Sequence, residues 1–121
     1  MKAKDLMIGD KVMVKVLSQI PNTYVLHTWT ANDYSRDIQV KPITLTPEIL
    51  EKNGFIKVNS QRYDYGYPDT NCYVKVNPKK NMIHVNGRNA NSNLYSHSFV
   101  HELQRALRLC GLDEIADNFK V

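Results

Sequence analysis

Residues 46–54 have the sequence TPEILEKNG, the clearest local signal in the chain. Thr46 suits the N-cap of a helix. Pro47 suits the first helical position, because a backbone N–H at that position has no acceptor within the helix and proline lacks one. Glu48 complements the positive end of the helix dipole, and Asn53-Gly54 favours a left-handed C-cap. The segment therefore predicts a helix of about two turns.

The residues on the N-terminal side of this helix have the composition of β-strands. From Lys11 to Val16 every second residue is valine, which is typical of a half-buried strand. Residues 23–30 and 38–43 are rich in β-branched and aromatic residues and predict two more strands. Because turn residues separate the three segments, we expect them to pair in sequence as an antiparallel meander.

The residues on the C-terminal side of the helix predict more strands and a second helix. Strands are expected at 55–58, 73–76 and 82–85, with a hairpin loop at 77–81. Residues 63–71 are expected to form an aromatic-rich loop or edge, and 86–93 a flexible, asparagine-rich connection. Apolar residues at helical spacing predict a C-terminal helix that Ser98 caps and Gly111 ends, before a short segment capped by Asp113.

Taken together, these elements predict one α+β domain over residues 1–121. The expected architecture is a mostly antiparallel, bent sheet of about six strands, with a short middle helix and a longer C-terminal helix lying across it. A chain of this length buries enough apolar surface to fold without a disulfide or a metal.

Composition narrows the function classes without selecting one. The net charge is +4, yet residues 1–60 and 61–121 each carry eight basic and six acidic side chains, so the charge is not concentrated in one half. No apolar run approaches the roughly 20 residues of a membrane helix, and no signal-peptide core is recognisable. We expect a cytoplasmic protein that does not associate with membranes, in which Cys72 and Cys110 are free thiols.

Three segments of the chain are similar to a known group of proteins. Residues 45–55, LTPEILEKNGF, residues 100–104, VHELQ, and the opening ten residues resemble a family of uncharacterised small proteins from gut Bacteroides-type bacteria and their phages or mobile elements. The resemblance implies a bacterial or phage cytoplasmic setting. It supplies no catalytic residue, because no activity is assigned to that family.

His101-Glu102 begins the pattern of a zinc-protease helix but does not complete it. That motif requires a second histidine four residues after the first, and Arg105 occupies the position. His97 has the right spacing before His101, but we expect it to lie outside the helix. His84, on a strand, is expected to be a solitary exposed histidine. No metal and no cofactor is predicted, although a hydrolase that uses His101 and Glu102 with His84 or His97 stays open.

A stronger signal is the interleaving of tyrosines with cations in the second half of the chain. Such side chains stack on bases, or form hot spots for a protein partner, or pave one face of an edge strand. The predicted binding residues are Tyr63, Tyr65, Tyr67, Tyr73, Lys75, Lys79, Lys80 and Arg88.

The sequence as a whole favours a non-enzymatic binding or accessory module whose partner is a protein. Two alternatives stay open: a small hydrolase, with or without a metal, and a weak nucleic-acid-binding protein. Homodimerisation stays open as well, since small domains with edge strands often pair.

Overall fold

The computed structural model describes residues 3–16, 23–36, 38–67, 72–87, 90–95 and 98–121, without the side chains of 3, 67, 72 and 90–95. The protein is α+β, as predicted. Its strands are β1 Lys11–Val16, β2 Val25–Thr28, β3 Ile38–Lys41, β4 Ile56–Lys57, β5 Tyr63–Tyr67, β6 Cys72–Asn77, β7 Met82–Gly87 and β8 Ala90–Tyr95. Its α-helices are α1 Pro47–Lys52, α2 Val100–Leu109 and α3 Asp113–Asp117, and short 3-10 helices occupy Ala3–Asp5, Ala31–Ser35 and Pro78–Lys80.

The described strands form two antiparallel sheets instead of the single bent sheet that the sequence predicts. The first has three strands in the order β2-β1-β3, and the second has five in the order β4-β5-β6-β7-β8. The predicted meander of the first three strands is wrong, because β3 pairs with the free side of β1 and not with β2. The connection from β2 to β3 contains the 3-10 helix Ala31–Ser35, so the chain is long enough to cross to the other edge.

Two segments predicted to be irregular contain strands of the larger sheet. Residues 63–67 form β5, which pairs on both sides, and residues 90–95 form β8 at one edge. Tyr63, Tyr65 and Tyr67 occupy every second position of β5, which matches the two-residue period of a strand. β8 has a polar sequence, and its partner β7 supplies the backbone hydrogen bonds that composition does not reveal. Residues 68–71 and 88–89 of these segments lie outside the described residues.

The main core lies between one face of the five-stranded sheet and the helices. Strands β6 and β7 contribute every second residue to it, and α2 contributes its apolar face. The buried residues are Leu45, Leu50, Phe55, Tyr63, Val74, Val76, Ile83, Val85, Val100, Leu103, Ala106, Leu107, Cys110, Ala116 and Phe119. Cys110, at the end of α2, is buried in this core. No helix in the described part of the chain is long and apolar enough to span a membrane.

A smaller core lies on one side of the three-stranded sheet and consists of Leu6, Val12, Val14 and Trp29. α2 joins it to the rest of the protein through polar contacts. Gln104, fully buried, accepts a hydrogen bond from the Lys11 N–H at 2.8 Å and donates to the carbonyls of Gly9 and Ala116. The two sheets are therefore held by one helix.

The first residues of α1, α2 and α3 differ in how they cap their helices. Thr46 caps α1 as predicted, since its hydroxyl accepts the Ile49 N–H at 3.2 Å. Ser98 does not cap α2. It has a φ of 60°, its hydroxyl donates toward the Pro78 carbonyl and the Asn81 side-chain oxygen, and Phe99 takes the N-cap position. Asp113 is the first residue of α3, not its cap.

Candidate binding surface

The alternation of β6 and β7 divides their residues between two surfaces. Val74, Val76, Ile83 and Val85 point into the core, so Tyr73, Lys75, Met82 and His84 lie on the opposite side of the sheet. Arg62 and Asp64 join them from β5 and the residue before it. We call this surface, with those six residues, the tyrosine–histidine face.

The side chains of this face contact one another. The rings of Tyr73 and His84 are tilted by 38° with their centroids 6.2 Å apart, and the Lys75 ammonium lies 5.0 Å from the centre of the Tyr73 ring. The Arg62 guanidinium forms an ion pair with Asp64 at 3.1 Å. The face thus combines aromatic, thioether and charged groups of both signs.

A shallow depression of about 320 Å³ opens on this face. It is lined by Arg62, Lys75, Val76, Asn77, Met82 and His84. Apolar surface continues from it toward the sheet edge. Ile56 of β4 pairs in register with Asp64, which places it on the same side, and it is 71% exposed.

Only part of the sequence-predicted surface lies on the tyrosine–histidine face. Tyr73 and Lys75 do. Tyr63 is only 5% exposed and is a core residue, so it does not lie on this face. Tyr65 packs its ring 5.3 Å from that of Phe55 on the core side. Both positions follow from the strand geometry of β5, in which Tyr63 and Tyr65 are two residues apart and lie on the core side of the sheet.

The described cations of the predicted surface lie in two places. Lys75 is on the tyrosine–histidine face, whereas Lys79 and Lys80 are exposed in the 3-10 helix at one end of the β6–β7 hairpin. Arg88 lies outside the described residues. The Tyr67 side chain also lies outside the described part of the structure.

Four members of the face, Arg62, Asp64, Met82 and His84, are not among the binding residues predicted from the sequence. The signal for two of them was available, because Met82 and His84 alternate with Ile83 and Val85 in a strand that was predicted. What was missing was the pairing of β7 with β6, which places His84 directly beside Lys75.

The described histidines of the hydrolase alternative, His84 and His101, lie on opposite sides of the larger sheet. His84 lies on the tyrosine–histidine face, whereas His101 is buried on the other side of the sheet and stacks on the Phe99 ring at 5.8 Å. Burial and the nearby Arg105 lower the pKa of His101. Glu102 accepts the Phe99 N–H at 3.3 Å, which is a helix-capping contact. His97 lies outside the described residues, within which no three histidine, cysteine or acidic side chains form a group able to hold a metal.

A second His–carboxylate pair lies at the three-stranded sheet. The His27 Nε2 and Asp33 Oδ2 atoms are 2.7 Å apart, and Asp33 is almost fully buried. Burial raises the pKa of Asp33, but hydrogen bonds from His27, Thr30 and Arg36 outweigh it and hold the pKa well below its usual range. The Thr30 backbone and hydroxyl both donate to this carboxylate at 2.8 Å, so it organises the 3-10 helix between β2 and β3.

Comparison with known proteins adds no family to this geometry. No protein-family model, curated protein or solved structure matches the chain. The function of the chain therefore has to be inferred from its own residues.

Proposed function

We propose that this chain is a non-enzymatic binding module that holds a protein partner on the tyrosine–histidine face. The observation that carries the proposal is the division of β6 and β7 into two surfaces. One supplies the core, while the other sets Tyr73, Lys75 and His84 in mutual contact where they contribute nothing to that core.

The composition of the face favours protein over nucleic acid. Tyrosine, methionine and arginine are the residue types enriched where proteins meet, and Tyr73, Met82 and Arg62 supply one of each. The Arg62–Asp64 pair gives the face both signs of charge, whereas a phosphate backbone selects cations alone. The depression beside Met82 and the exposed Ile56 offer apolar area for a partner's side chain.

The proposal is tested by affinity capture with three baits. We compare the wild-type protein, a Tyr73→Ser/His84→Ser variant, and a Glu48→Ser/Glu51→Ser control on the exposed side of α1. Truncating a central aromatic contact costs about 2 kcal/mol or more, or at least tenfold in affinity. A partner of this face is therefore retained by the control and lost by the face variant.

The opposite result refutes the proposal. If every protein that the wild type retains is also retained by the Tyr73→Ser/His84→Ser variant, the face is not the binding surface. Circular dichroism and a thermal melt of each bait establish that the loss is not caused by unfolding. The cytoplasmic setting expected from the sequence stays a prediction.

A further inference from the structure

The three-stranded sheet has a second surface, on the side away from Val12 and Val14. Lys11, Met13 and Lys15 alternate with those buried valines and therefore point the other way. The register brings further residues to the same side: Thr28 opposite Lys11, Leu26 and Lys41 on either side of Met13, and Gln39 opposite Lys15. Together with Tyr24 these residues form what we call the lysine face.

Tyr24 lies between two of the lysines of this face. Two ammonium groups approach its ring, Lys15 at 5.1 Å and Lys41 at 5.7 Å from the ring centre. The Tyr24 hydroxyl donates to Gln39 Oε1 at 3.5 Å, and the Lys11 ammonium donates to the Thr28 hydroxyl. Tyr24 is 37% exposed and Leu26 51% exposed, so the aromatic and apolar parts are accessible in the described structure.

The charge of the lysine face is of one sign. Among its described residues three are lysines and none is acidic. Two cations held near one ring repel each other, and the repulsion is relieved when an anion lies between them. An anionic ligand is therefore the partner that complements this surface.

We propose that the lysine face binds single-stranded nucleic acid. Sheet surfaces that bind single strands combine cations for the phosphates with an aromatic ring on which a base stacks. Lys11, Lys15 and Lys41 supply the first and Tyr24 the second, with Leu26 beside it. The face spans three strands about 4.8 Å apart and is therefore about 10 Å wide, which accommodates a short segment of a single strand. An acidic protein is the less suitable partner, because it would leave the ring without a stacking group.

The affinity and its salt dependence follow from the three lysines. Each phosphate neutralised on a single strand contributes about 0.7 to the slope of log affinity against log salt, so the expected slope is about −2. Such a small slope belongs to a weak complex, which requires titration at low salt. Removing two lysines leaves a slope of about −0.7.

The test is fluorescence anisotropy with labelled oligothymidylate and oligouridylate of about twelve nucleotides, titrated with the full chain in about 20–200 mM KCl. The Lys15→Gln/Lys41→Gln variant is compared with Lys57→Gln/Lys120→Gln, which changes the net charge equally at exposed positions outside the lysine face. We expect the first variant to lose both affinity and slope and the second to keep both. Tyr24→Leu should keep the slope and lose about tenfold in affinity.

Three outcomes of the anisotropy titrations overturn the proposal. They are absence of oligonucleotide binding by the wild type at the lowest salt, equal losses in the two lysine variants, and tighter binding of a labelled oligoglutamate peptide than of either oligonucleotide. Amide chemical-shift changes in the ¹⁵N-labelled wild-type protein provide a measurement that needs no variant. They should fall on β1, β2 and β3, and changes confined to the other sheet also overturn the proposal.

Discussion

Replacing Asp10 by asparagine tests how the two sheets are held together. Asp10 precedes β1, and its side chain is fully buried. Its Oδ2 accepts the Met7 N–H at 2.8 Å and the Arg105 guanidinium at 3.0 Å, and its Oδ1 accepts Arg108 at 3.4 Å. Asparagine keeps the size of the side chain, removes its charge and leaves both guanidinium groups without their buried counter-ion.

The expected loss of unfolding free energy in Asp10→Asn is large for a single substitution that preserves side-chain size. Removing one member of a buried ion pair costs about 3–5 kcal/mol of unfolding free energy. The arginines are partly exposed, at 32% and 19%, so water recovers part of this loss. We therefore expect Asp10→Asn to lower the unfolding free energy by about 2–4 kcal/mol.

Urea denaturation measures this loss. With an m value of about 2 kcal/mol/M, the midpoint should fall by about 1–2 M at unchanged m. Asp117→Asn is a matched control, because Asp117 pairs with the same Arg108 at 3.3 Å but is 64% exposed. The control should lose no more than about 0.5 kcal/mol. Equal losses in the two variants, or none in Asp10→Asn, would refute the assignment of Asp10 as the buried anchor.

Three other predictions concern single positions. The pKa of His101 is lowered in the folded protein, so as the pH falls the unfolded chain binds this proton at a higher pH than the folded chain does. The unfolding free energy should therefore decrease as the pH falls below about 6.5. His101→Gln should show a smaller decrease of the urea midpoint between about pH 7 and 5. The pKa of Asp33 is also lowered, so its contribution to the unfolding free energy is present above about pH 4 and decreases as acid protonates the carboxylate. Asp33→Asn should therefore melt at a lower temperature than the wild type at neutral pH, and the difference between the two melting temperatures should become smaller toward about pH 2. A Cβ added to Gly87 would lie 2.8 Å from the Cys110 Cα, so Gly87→Ala should cost about 1–3 kcal/mol in denaturant unfolding, and an unchanged midpoint would contradict that contact.

Elements that depend on local chemistry were predicted well from the sequence. The Thr46 cap and the positive φ of Gly54 delimit α1 as the residue types indicate, because capping involves only neighbouring residues. The alternating valines of β1 and the apolar spacing of α2 likewise predicted strand and helix. Each pattern is read within one element and needs no knowledge of its partners.

Features that depend on distant residues could not be predicted in the same way. The position of β1 between β2 and β3 follows from backbone pairing that composition does not encode. The Ser98 hydroxyl binds residues of the β6–β7 turn instead of its own helix, so its cap-like sequence position was misleading. Tyr63 has the sequence surroundings of a binding residue, and only the assembly of the main core shows that its side chain is buried.

The dependence of the first sheet on α2 bears on how the chain matures during translation. Strands β1–β3 leave the ribosome well before Gln104, Arg105 and Arg108, the residues of α2 that bond Gly9, Asp10 and Lys11. Until α2 has been synthesised, the Asp10 carboxylate has no arginine partner, and the small core of the first sheet lacks the contacts that α2 makes with it. A stalled or truncated product without α2 is therefore an expected substrate for chaperones and proteases, and the synthesis of α2 is the event that allows the first sheet to complete its contacts.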